Sequence, residues 1–253
     1  MGMRTSYAPG TFSWVDLATD DIDTARSFYA AVLGWEVEDA GAGGTTYSLC
    51  RRDGDLVAAL YEPGDRPVPP GWTSHVTVGD ADATAARASE LGGAVIEPPT
   101  DVPGAGRTAL LRDPQGAVFA IWQPRARIGA ERVNDAGCLC MNELVTPDLD
   151  AARPFYEALF GWTVDGAGGS GAGPTMVFNR GNINAAMFTA PDGVPPHWRA
   201  CFTVESAGAA LGRIRDHGGE QLLAPADIGH GSIAMARDPQ GAVFTIFAGE
   251  THP

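Results

Sequence analysis

An acidic residue stands at the same offset from the first helix in both halves of this 253-residue chain: Asp16 in the first half and Glu143 in the second. A carboxylate held in apolar surroundings beside a histidine can do general acid–base work on an enolisable or phenolic molecule. His75 is the histidine available to Asp16. In the second half Arg199 stands near Glu143, either as an ion-pair partner or as a bidentate anchor for an anionic or carbonyl group. The indoles of Trp14 and Trp122 would hold a flat ligand in the first half. Asn142, Cys201, His230 and Phe247 are the ligand-binding candidates of the second. A shared acid also has a plainer reading, a structural hydrogen bond inherited by both halves.

These residues are placed by repeated elements. Asp113-Pro-Gln-Gly-Ala-Val-Phe119 returns letter for letter at Asp238-Pro-Gln-Gly-Ala-Val-Phe244. Asp-Pro with Gln-Gly is turn chemistry, and the alternating apolar residues that follow each copy predict strands. Around this anchor the chain reads as four βαβββ units, two per half. Thr11–Ala18 alternates as a strand, and Asp20 or Asp21 opens a helix that Gly34 stops. A second strand–helix pair covers Trp72–Val78 and Ala81–Leu91. Residues 124–136 read as a linker between an N-terminal domain over 11–123 and a C-terminal domain over 137–248. Strand alternation turns Trp14 and Asp16 to one inward face, with His75 and Trp122 on the inward face of the next unit. The glycine-rich stretches 41–44 and 166–173 open no helix and read as lips over a cavity rather than phosphate cradles. Trp72 and Trp198, each behind a Pro-Pro pair, read as staples of the strands at its mouth.

Composition bounds the partners. A formal net charge of −14 argues against nucleic acid and anionic membrane surfaces. No run approaches a membrane span, and the first ten residues lack the apolar core of a signal peptide, so a cytoplasmic location is expected. The four cysteines, Cys50, Cys138, Cys140 and Cys201, lack metal or thioredoxin spacing and read as reduced core residues. The expected partner is a small organic molecule, and the two halves are expected to form an internal pseudo-dimer within a monomer.

The phrase Leu17-Ala-Thr-Asp-Asp-Ile-Asp-Thr-Ala-Arg-Ser-Phe-Tyr-Ala-Ala-Val-Leu-Gly-Trp35, its counterpart Leu144–Trp162, and the Asp-Pro-Gln-Gly turns resemble the vicinal oxygen chelate superfamily of glyoxalases, bleomycin-resistance proteins and dioxygenases. The tandem layout and the Pro-Pro-x-Trp segments are similar to two-domain actinobacterial members labelled hydroxylases or glyoxalases. The resemblance implies an α+β fold in which paired units curl mixed sheets around a cup. Active members chelate a divalent metal there together with an oxygen-bearing substrate.

It also implies where metal ligands would stand. Those positions hold Trp14, Thr73 and Ala120 in the first half, and Met141, Arg199 and Thr245 in the second. A two-residue slip substitutes Asp16, His75 and Trp122, or Glu143, Cys201 and Phe247. Neither set makes a two-histidine-one-carboxylate cluster, and the five histidines are scattered. No metal and no cofactor is therefore expected. The leading expectation is a metal-independent enzyme doing proton transfer, or a cofactor-independent oxygenation or rearrangement, on an aromatic or polyketide-like molecule. The alternatives are a resistance protein that sequesters a toxic metabolite and a divergent glyoxalase- or dioxygenase-type metalloenzyme.

Overall fold

A capped helix follows the opening strand of every repeat. A computed structural model describes residues 2–41, 46–66, 68, 70–165 and 174–251. Apart from Gly41, the two glycine-rich stretches lie outside the described residues. In the first unit β1 (Phe12–Ala18) leads into α1 (Ile22–Leu33), then β2 (Glu36–Asp39), β3 (Tyr47–Arg52) and β4 (Asp55–Tyr61). The second unit runs β5 (Gly71–Thr77), α2 (Ala81–Glu90), β6 (Ala94–Val102), β7 (Gly106–Arg112) and β8 (Val118–Pro124). The third has β9 (Leu139–Thr146), α3 (Leu149–Phe160), β10 (Thr163–Val164), β11 (Thr175–Asn179) and β12 (Asn182–Thr189). The fourth has β13 (His197–Thr203), α4 (Ala207–Asp216), β14 (Glu220–Asp227), β15 (Gly231–Arg237) and β16 (Val243–Gly249).

Asp21, Asp80, Asp148 and Ser206 each accept a backbone N–H from the first turn of their helix, satisfying a donor that would otherwise lack a partner. Gly34 and Gly161 end α1 and α3 at φ +73° and +70°, a left-handed conformation glycine adopts without Cβ strain. The strands form two eight-stranded mixed sheets, ordered β2-β3-β4-β1-β5-β8-β7-β6 and β10-β11-β12-β9-β13-β16-β15-β14. In each half the two units meet at an antiparallel central pair, β1·β5 or β9·β13. The chain is thus a tandem of two α+β domains.

The helices lie between the two sheets, and they pair across the halves. One apolar core joins Phe28, Tyr29 and Val32 of the first unit to Phe202, Leu211, Ile214 and Phe244 of the fourth. The other joins Ala85, Leu111 and Phe119 of the second unit to Phe155, Tyr156 and Trp162 of the third. Trp72 and Trp198 belong to these cores, correcting the expectation that they staple a cavity mouth. Trp72 pairs with Leu17, and Trp198 with Leu144, so strand parity turns them away from the inward face.

The repeated heptads clamp this layer. Asp113 Oδ1 accepts the backbone N–H groups of Gln115, Gly116 and Ala117 at 2.8–2.9 Å. Asp113 Oδ2 accepts the hydroxyl of Tyr156 from the other half at 2.9 Å, and that hydroxyl accepts the indole N–H of Trp198 at 2.9 Å. The mirror relay runs from Trp72 to Tyr29 to Asp238, with both bonds at 3.1 Å. Gln115 exchanges bonds with the backbone of Asp148, as Gln240 does with Asp21. Each turn therefore grips the N-terminus of a helix in the opposite domain.

Tyr29→Phe or Tyr156→Phe strands a buried indole N–H and removes a donor from a buried carboxylate. Each is expected to lower unfolding free energy by about 1–3 kcal/mol, and the two losses to add, as read by denaturant melts. Losses below about 0.5 kcal/mol for both would sink the clamp.

Candidate functional site

A cavity of about 210 Å³ opens on the inward face of the first sheet. Trp14, Asp16, His75 and Trp122 all line it. The antiparallel register sets Trp14 opposite His75 and Asp16 opposite Thr73, while His75 lies beside Ala120 on β8. His75 Nε2 is 3.0 Å from Asp16 Oδ2. The approach is too oblique for a hydrogen bond, and neither ring nitrogen makes one elsewhere. With side chains 8% and 14% exposed, the pair is reached by way of the cavity.

Trp122 is held flat by a missing side chain. A Cβ on Gly106 would come within 2.5 Å of the indole, so only glycine lets the ring lie there. Its N–H donates to the Arg127 carbonyl at 3.0 Å, which ties the segment after β8 to the cavity wall. Residues 125–133 are thus more than a polar connector: Arg127 and Gly129 line the cavity, and Ala130 bonds the backbone of Ser13.

Among the lining residues that sequence reasoning missed are Tyr47, Tyr61, Arg66, Glu97 and Arg127. The phenols of Tyr47 and Tyr61 are pushed well above their ordinary range, first by burial and next by the negative charge of Asp16. Both remain hydroxyls in neutral solution and can donate. Arg66 grips Glu97 bidentately at 2.9 and 2.6 Å and lies 5.5 Å over the Tyr61 ring, closing one side of the mouth. The Gly106–Trp122 spacing was visible in the sequence, but nothing local points from Arg66 to Glu97 thirty-one residues on.

The equivalent face of the second half is differently filled. By register, Met141, Glu143, Arg199, Cys201, Thr245 and Phe247 stand where the first half has Trp14, Asp16, Thr73, His75, Ala120 and Trp122. Glu143 is buried, and its Oε2 takes Arg199 Nε at 2.7 Å and the Thr245 hydroxyl at 2.8 Å. Arg199 Nη2 lies 2.6 Å from the same oxygen, and Nη1 lies 2.7 Å from Met235 Sδ. Cys201 Sγ rests 3.6 Å from Cys140 Sγ. His230 is exposed, with its ring 5.7 Å from Phe247. Asn142 does not belong to this face. It alternates with Met141 and Glu143 and pairs with Ala200 of the inter-domain core, a correction that follows from the two-residue period of a strand.

The donors present do not fit a chelated divalent metal. In the first half Asp16 and His75 supply two donors, and the third position holds Trp122. In the second, Glu143 is already neutralised by a guanidinium. Among the described residues no group of three or more His, Cys, Asp or Glu side chains could hold an ion.

This architecture is that of a tandem cup-forming oxygen-chelate protein, and sequence comparison agrees. Residues 11–121 and 139–246 each match the model of the Glyoxalase/Bleomycin resistance protein/Dioxygenase superfamily, and the chain belongs to that superfamily. It is 37% identical over 254 residues to the protein named "Putative glyoxylase CFP32" of Mycobacterium tuberculosis, covering 97% of each chain. It is also 37% identical over 262 residues to "Anthracycline biosynthesis protein DnrV" of Streptomyces peucetius, covering 96% of this chain and 94% of that one. In fold it is similar to the Mn(II)-bound glyoxalase of Novosphingobium aromaticivorans, with a TM-score of 0.66 at 18% identity over 95% of this chain and 82% of that chain. The 2,3-dioxygenase LapB of Pseudomonas sp. KL28 gives 0.65 at 17% identity over 99% and 95%. No helix among the described residues is long and apolar enough to cross a membrane.

Glu143→Ala leaves the Arg199 guanidinium, only 14% exposed, without its carboxylate, and is expected to cost about 3–5 kcal/mol of stability. Glu143→Leu combined with Arg199→Met should recover most of that loss in the same denaturant melt, since an apolar pair can replace a buried ion pair. A mild effect of the single variant would mean the pair is solvated.

Proposed function

We propose that the protein binds a small aromatic, polyketide-like molecule in the N-terminal cup and acts on it by proton transfer without a metal, as a single chain in the cytoplasm. The observation that carries this reading is one cavity lined by two indoles and two protonated phenols, with an imidazole 3.0 Å from a carboxylate. Trp14 and Trp122 supply flat apolar walls for a ring system. His75 takes a proton from a phenolic hydroxyl or an enolisable carbon, and the Asp16 carboxylate stabilises the imidazolium that forms. Tyr47 and Tyr61 donate to the oxygen on which negative charge develops. Oxygenation of the resulting anion by dioxygen, or its rearrangement, is a further step open to this arrangement. The relative named for anthracycline biosynthesis supports a polycyclic aromatic ligand. At about 210 Å³ the cavity is below the ~300–1,000 Å³ of drug-sized pockets, so it takes one or two fused rings and leaves the rest of a larger polycycle at the mouth beside Arg66 and Val68. The Glu143–Arg199 pair, by contrast, serves the architecture of the second cup.

The test uses hydroxylated anthraquinones as probes, with tryptophan quenching for affinity and product analysis for turnover. Asp16→Asn is expected to lower turnover by ~10²–10⁴-fold while changing affinity only a few-fold. Trp122→Ala should weaken binding by about 1–3 kcal/mol. Tight binding with no turnover in the parent protein, and no effect of Asp16→Asn, would replace the enzyme with a protein that sequesters its ligand.

A further inference from the structure

The central strand pair of each half is irregular at the same place. In the first half Trp14 pairs with His75 and Phe12 with Val76, which leaves Ser13 over. In the second, Cys201 pairs with Met141 and Phe202 with Leu139, which leaves Cys140 over. Such a bulge sets two residues of one strand against one of its partner and re-aims the extra side chain. Cys140 is thereby brought beside Cys201: the two Sγ atoms are 3.6 Å apart, and the Cys140 thiol donates to the Cys201 carbonyl at 3.3 Å. At the matching place in the first half, Ser13 Oγ accepts the Thr77 hydroxyl at 2.7 Å, whereas the Thr203 hydroxyl in the second half is buried without a partner.

We infer that Cys140 and Cys201 form a reversible oxidation site that closes to an intrachain disulfide when a peroxide is present. Side-chain rotation must bring the sulfurs from 3.6 Å to the ~2.0 Å of an S–S bond, across strands already held in register. Cys140 is half-buried and is the thiol a peroxide can reach, while Cys201 is 2% exposed. The Cys140 sulfur attacks one peroxide oxygen, the O–O bond breaks, and water leaves as Cys140 becomes a sulfenic acid. The Cys201 sulfur then displaces the second water. Two thiols lose two electrons and two protons, and one peroxide becomes two waters. The contact with Cys140 and burial hold the Cys201 thiol protonated, which leaves the first attack on peroxide to Cys140. A dithiol reverses the reaction through a mixed disulfide. Cys50 and Cys138 are buried, with no sulfur partner among the described residues; burial pushes their thiols up, that of Cys138 to about 12, so they act as internal controls.

Thiol counting in denaturant tests this on the full chain, before and after a small excess of hydrogen peroxide, with peptide mass mapping. Titratable thiols should fall from four to two, with a Cys140–Cys201 crosslinked peptide, and return to four with a dithiol. Cys140→Ser places a hydroxyl where the first half already has one; it should keep its three thiols through the same treatment. Cys201→Ser should leave Cys140 as a sulfenic acid that a dimedone probe captures. Four thiols surviving peroxide, overoxidation of Cys140 with Cys201 unchanged, or a disulfide formed only between chains would each overturn the inference.

Discussion

Two aspartates, Asp113 and Asp238, hold this molecule together, and each does so with both oxygens. One oxygen of each folds its own Asp-Pro-Gln-Gly turn, and the other receives a tyrosine hydroxyl from the opposite half. Both carboxylates are buried, so a missing partner would leave a charge without compensation in a low-dielectric layer. Because the tyrosine also accepts an indole N–H, a chain of turn, phenol and indole crosses the helical layer twice. The stacked Tyr29–Trp35 and Tyr156–Trp162 rings, 5.5 and 5.4 Å apart, pack around these bonds, and each of those tryptophans donates to a backbone carbonyl of the other half. Once these rings and helices are fixed back to back, the sheets can present their opposite faces as two separate cups.

The cups then differ in what fills them. Where the first has Thr73, Ala120 and a histidine, the second has Arg199, Thr245 and a cysteine, and of these Arg199 and Thr245 close upon Glu143. The same backbone therefore supports an accessible carboxylate–imidazole pair on one side and a neutralised, filled floor on the other. The segment that follows β8 adds to the difference, since Arg127 and Gly129 wall the first cup.

Much of this architecture is legible in the amino-acid sequence. The seven-letter repeat, the Asp20–Asp21 opening of the first helix and the glycine stops point to the four units, because those signals are local and depend on backbone dihedrals and hydrogen-bond donors. Alternation around Asp16 set Trp14 and Asp16 on one face, and the same rule, applied to Asn142, would have removed it from the cup. Tyr61 stayed hidden because β4 is buried on both faces, so its apolar run carries no inward signal. The clamp itself stayed hidden for another reason. Turn chemistry announces that Asp238 will bind its own backbone, yet nothing in a turn says that a tyrosine 209 residues earlier will share the carboxylate.

The pairing of the first unit with the fourth, and of the second with the third, has a consequence for concentration. Two separate chains bearing these contacts would part on dilution, since their association would be bimolecular. Joined by residues 125–136, the halves meet at an effective concentration on the order of millimolar whatever the amount of protein. The dilution limit on a dimer of cups is thereby removed, and each cup can diverge in chemistry without first having to keep a partner.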